Sequence, residues 1–205
     1  PDRAAGFARA DGSGRFASPV LSGKDAAGAV RTDHRHAHYL PTAEGPDPRR
    51  VTHLTVWAAD GFGPAEEAAL TGLRTVGVGD GRLAVRLVGL GRPADFTAPL
   101  FGPSAVWESA TPVVGPAHVG RSGRERYLAK AVRREVRRLA EAWGWPGVPE
   151  VERVSEMPSG PRAVEYRRSR SRGGPSGWGR PAGAFYLTFP QAVSGPVCVG
   201  YGSHF

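Results

Sequence analysis

The segment GRERYLAKAVRREVRRLAEAWG, residues 123–144, constrains the fold more than any other part of the chain. Leu128, Val132, Val136, Leu139 and Trp143 recur at spacings of three and four, so they form one stripe of a helix. Arg126, Lys130, Arg133 and Arg137 recur with the same period on the opposite side. Gly144 and Pro146 stop the helix. An apolar stripe of this length needs a sheet or another helix to cover it, and the neighbouring runs read as strands. These are AVWESATPVV (105–114), VERVSEM (151–157), RAVEYRRSR (162–170), GAFYLTFP (183–190) and PVCVGYG (196–202).

The first half repeats this grammar on a smaller scale. HRHAHYLPT (34–42) alternates as a strand does, and VTHLTVWAA (51–59) is rich in β-branched and aromatic residues. The turn cluster AEGPDPRR between them predicts an antiparallel hairpin, with Leu54, Val56 and Ala58 on its core face. Pro64 and the acids after it start a helix whose apolar face is Ala69, Leu73 and Val76. RLAVRLVGLG (82–91) then reads as a strand. The fold class is therefore α+β with antiparallel sheets, because the connections are too short and hairpin-like for a doubly wound parallel sheet. Residues 1–31 lack periodicity and read as a linker or the tail of an upstream domain, with one unit over 32–103 and another over 104–205. A hydrophobic content of 40% over 205 residues supports a core, while 29 glycines and 19 prolines foretell long connections.

Charge narrows the function. The chain carries 27 cations against 19 acids, a formal net charge of +8, and all cations but Lys24 and Lys130 are arginine. The planar guanidinium fork suits phosphate, so a polyanion, nucleic acid first among them, is the expected partner. Cys198 is the single cysteine, which excludes an intrachain disulfide and a multi-cysteine zinc site. The longest apolar run, Leu83 to Leu90, is broken by Arg86, and nothing reads as a signal peptide or bilayer span. A reducing cytoplasm is the expected setting.

Four of the six histidines fall in the first hairpin: His34, His36, His38 and His53. Alternate residues of a strand share a face, so the first three point the same way, and with His53 and Trp57 they are expected on the face away from the helices. Such imidazoles could serve as general acid and base near neutral pH, as a cluster of metal ligands beside Asp33, or as polar surface. The H-x-T-x run at His53 also matches one half of a two-histidine phosphoesterase pattern, but no second copy follows His118 or His204. The arginine runs on the 123–144 helix and at Arg167, Arg168, Arg170 and Arg172 fit phosphate contact. Gly195, Gly200 and Gly202 around Tyr201 would let backbone amides approach a phosphate.

Taken in order, HRHAHYLPT, RVTHLTVWAADGF, RLVGLGRPADF, GPSAVWESATPVV and GPVCVGYGSHF resemble the CRISPR-associated fusion protein of type I-U (I-G) systems. That family joins a Cas five-like half to a Cas six-like half, and this chain resembles the second from about Ser22 to Phe205. The resemblance implies tandem ferredoxin-like (RRM-like) units and metal-independent cleavage of CRISPR repeat RNA, with no cofactor. A histidine would assist a ribose 2′-hydroxyl in attacking the adjacent phosphate, leaving 2′,3′-cyclic phosphate and 5′-hydroxyl ends. Carried over by position, His36 and His38 are the catalytic candidates with His53 as a neighbour, and Gly200, Tyr201 and Gly202 begin an RNA-contacting loop. Arg35 and the run from Arg167 are candidates for charge stabilisation beside the scissile phosphate. Other subunits of a CRISPR effector complex are implied partners, and a non-catalytic guide-RNA-binding subunit is the alternative.

Overall fold

The computed structural model describes residues 18–25, 27–31, 33–47, 50–78, 81–115, 117, 119–154 and 181–200. It is a mixed α+β structure with several small antiparallel sheets and three α-helices among the described residues. The chain divides between Arg92 and Pro93 into two compact units.

The first unit opens with α1 (Pro19–Ser22), a single turn framed by complete capping chemistry. Ser18 Oγ accepts from the Leu21 amide at 3.0 Å, Pro19 fixes the first helical φ, and Gly23 closes the turn at φ 65°. The described residues of 18–31, a stretch expected as a linker, are therefore partly structured: the Ala37 amide donates to Val20 O at 2.7 Å and Tyr39 Oη donates to Leu21 O at 2.9 Å. Strands β1 (His38–Thr42) and β2 (His53–Trp57) form the expected hairpin, in the register His38↔Trp57 to Thr42↔His53. Helix α2 (Pro64–Gly72) is shorter than its sequence pattern. It ends at Gly72, so Leu73 and Val76 leave the intended apolar face, and Val76 joins a second hairpin, β3 (Thr75–Val78) with β4 (Gly81–Ala84). The expected strand at 82–91 ends at Ala84, and Leu87, Val88 and Leu90 beyond it are exposed.

Among the described residues, the second unit is a four-stranded antiparallel sheet under a long helix. Strands β5 (Pro103–Glu108), β6 (Val113–Val114) and β7 (Glu150–Val154) all pair with β8 (Ala182–Ser194). Helix α3 (Arg124–Trp143) follows its pattern almost to the residue and ends at Gly144 in the left-handed conformation. Its stripe of Leu128, Val132 and Val136 packs on Phe185, Leu187, Phe189 and Val193 of β8, all buried. Alternation along β8 sends these odd-numbered side chains to the helix. The run 196–202 was expected as a strand, but its described part, 196–200, takes no regular structure, and the run 162–170 lies outside the described residues.

Candidate functional site

The histidine segment is not a strand from end to end. His34 adopts a left-handed φ of 56°, which turns the chain, and β1 begins only at His38. The rings nevertheless come together as a file. His34 and His36 centroids are 6.1 Å apart, His36 and His38 are stacked at 5.2 Å, and His38 lies 5.6 Å from Trp57. Strand pairing explains the last contact, since His38 stands directly opposite Trp57.

The file, expected on the face away from the helices, is covered rather than open. His36 is 3% and His38 4% exposed, with only His34 half-buried. Gly23 forms the lid over His36: a Cβ there would stand 3.3 Å from the imidazole Cγ. The opposite face of the hairpin carries Val56 and Tyr39, whose hydroxyl reaches Leu21 O of α1, but Leu54, expected in the core, is exposed.

Hydrogen bonds assign the tautomers. A carbonyl oxygen can only accept, so the ring nitrogen facing it must carry a proton. His36 Nδ1 donates to Ala37 O at 3.1 Å, and His38 Nε2 donates to His34 O at 3.2 Å. The Nε2 of His36 is buried and has no hydrogen-bond partner among the described residues. In the neutral ring that atom holds the lone pair. Burial is the main cause that pulls the His38 pKa down to about 4, against the smaller opposing effect of the His34 carbonyl. His38 is therefore neutral at physiological pH, with its Nε2–H committed to the His34 carbonyl.

The remaining candidates are dispersed. His53 pairs with Thr42 at the far end of the hairpin, four residues from Trp57, a separation of about 13 Å at strand rise. It contacts Thr52 Oγ1 at 3.0 Å and lies 3.6 Å from Glu44, so it does not join the other imidazoles. Arg35 is not a spare phosphate ligand, because its guanidinium is clasped by both carboxylate oxygens of Asp60. The Arg35 hydrogen bond is the main reason the Asp60 carboxyl lies below its usual range.

In the second unit, Arg126, Lys130, Arg133 and Arg137 are exposed along α3, and none forms an ion pair among the described residues. Arg138, one position round, is instead taken up by the buried Glu135 at 2.6 Å. Gly200 is buried at the end of the irregular stretch 196–200. Arg167, Arg168, Arg170, Tyr201 and Gly202 lie outside the described residues.

The sequence reading missed Gly23 and Asp60. The first had a signal, a serine–proline pair followed by glycine four residues on, which is a complete set of helix start and stop residues. The partner of Arg35 had none, because it is 25 residues away in sequence. No described helix is long and apolar enough to cross a membrane, and no described cluster of three or more His, Cys, Asp or Glu could hold a metal ion. Compared with family models, curated proteins and solved structures, the chain matches none.

Proposed function

We propose that this chain is a metal-independent endoribonuclease that processes CRISPR repeat RNA, built on two ferredoxin-like units and working in the cytoplasm with other subunits of an effector complex. The observation that carries the chemistry is the unpartnered Nε2 of His36, with Nδ1 of the same ring held as a donor by Ala37 O. That is the tautomer a general base needs. A buried acceptor left without a partner costs about 1–3 kcal/mol, and a ribose hydroxyl placed against it would relieve that cost. His36 takes the 2′-hydroxyl proton, the 2′ oxygen forms a bond to the adjacent phosphorus, and the bond to the 5′ oxygen breaks. The departing 5′ oxygen takes a proton from solvent. The RNA supplies its own nucleophile, so positioning and proton transfer are the protein's share, with the base contributing roughly 10²–10⁴-fold. Entry of the ribose requires the turn carrying His34 and His36 to part from Gly23.

The test is cleavage of repeat RNA in EDTA. The proposal expects cyclic-phosphate ends, no cutting of a substrate with a 2′-deoxy sugar at the cut site, and loss of rate but not of affinity in His36→Ala. Undiminished cutting by that variant, or of the deoxy substrate, overturns it.

The burial of His36 and His38 favours a second reading, a subunit that holds guide RNA without cutting it. On this reading the imidazole file is a structural stack. It expects salt-sensitive binding with no turnover, and variants of His36 that leave binding intact.

A further inference from the structure

We infer that a single RNA strand lies along the outer face of α3, and that the open face of the sheet beneath that helix is closed to RNA. This rests on the RNA reading above and adds the path of the strand. At 100° per residue, Arg126, Lys130, Arg133 and Arg137 fall within an arc of about 60°, in a straight row about 16 Å long with one cation per helical turn. All four are exposed, and no carboxylate among the described residues occupies them. A row of this kind meets successive phosphates of an extended backbone, which contributes affinity without sequence preference. A lipid surface fits less well. An interfacial helix inserts an apolar face, and the apolar stripe of α3 is already spent on Phe185, Leu187 and Phe189. Its exposed positions carry no large apolar side chain.

The other face of the sheet has the opposite character. Strand register sets Glu150, Thr188 and Val106 in one row across β7, β8 and β5, and Glu152, Tyr186 and Glu108 in the next. The three glutamates are exposed. Burial, then the charge and hydrogen bond of Glu108 and the charge of Glu152, raise the Tyr186 phenol above its usual pKa. An aromatic flanked by carboxylates on both neighbouring strands would stack a base only by drawing its phosphates towards like charge. The strand therefore takes the helix side.

The experiment measures binding of fluorescent polyuridine by the full chain at several salt concentrations. Replacing Arg126, Lys130, Arg133 and Arg137 together by Gln is expected to lower the slope of log K against log salt by about 3, and affinity at 0.1 M salt by roughly 10²–10³-fold. The single Gln variants, each expected to lower the slope by about 0.7, keep the test sound if the quadruple variant fails to fold. Glu150→Gln with Glu152→Gln is expected to leave the slope unchanged. Native-like binding by the α3 variants, a slope that falls in the sheet variant instead, or tighter binding to phosphatidylserine vesicles than to polyuridine overturns the inference. Polyuridine carries no repeat sequence, so this result is independent of cutting. Loss of binding in the α3 variants beside a native protein that leaves repeat RNA intact removes only the nuclease reading.

Discussion

Helices α2 and α3 begin alike, with a glycine before the first turn and glutamate within it, yet they are anchored by different means. Along α3 seven residues are buried, Val136 completely. Along α2 none is. What ties α2 down is polar: Glu66 accepts from the Gly63 amide at 3.1 Å and from Ser18 Oγ at 2.7 Å, joining the helix to the start of α1. The second unit is thus held by apolar burial, which is broad and tolerant, and the first by caps, an arginine–aspartate clasp and a file of rings. Polar devices are individually small and depend on geometry.

Three changes probe these two modes of anchoring. The largest effect belongs to the second unit: Phe185→Ala empties the centre of its core and should cost about 3–5 kcal/mol, read as a lowered denaturant midpoint. A loss below about 1 kcal/mol would show that the apolar contrast between the units is unimportant. The next effect is acid weakening of the first unit. The His38 pKa is lower folded than its ordinary value of 6.5, so the unfolded chain binds the proton first. Stability is complete above about pH 6.5 and falls as pH drops towards about 4, by ~2–3 kcal/mol. Melting at a series of pH values, compared with His38→Phe, isolates it, because the variant should lose that slope. The smallest is Gly23→Ala. It places a Cβ at positive φ and against the His36 ring, for a cost of roughly 1–2 kcal/mol. The loss should appear in the melting of the first unit.

Much of the second unit was legible because its period is long and consistent: Leu128 to Leu139 repeat often enough to define both the helix and its outer face. In the first unit the patterns were short, and tertiary structure overrode them. Gly72 cut α2 before Leu73 could take part, and the turn at His34 ended an alternation that looked like a strand. The gathering of His34, His36 and His38 near Trp57 was readable from spacing and pairing, since both the turn and the strand bring those rings to one side. Their burial was not, because the covering residue is Gly23, in a segment whose composition reads as linker.

Every described pairing made by β5, β6 and β7 is with β8, and β8 also supplies Phe185, Leu187, Phe189 and Val193 to the core. During synthesis the ribosome delivers these strands and α3 first, and among the described residues the strands meet no strand partner until residues 182–194 emerge. At roughly 5–20 residues per second that wait lasts several seconds, with an amphipathic helix waiting beside unpaired strand edges. The nascent second unit is then the stretch on which a chaperone has the most to act, whereas the β1–β2 hairpin can zip as soon as its own turn is made.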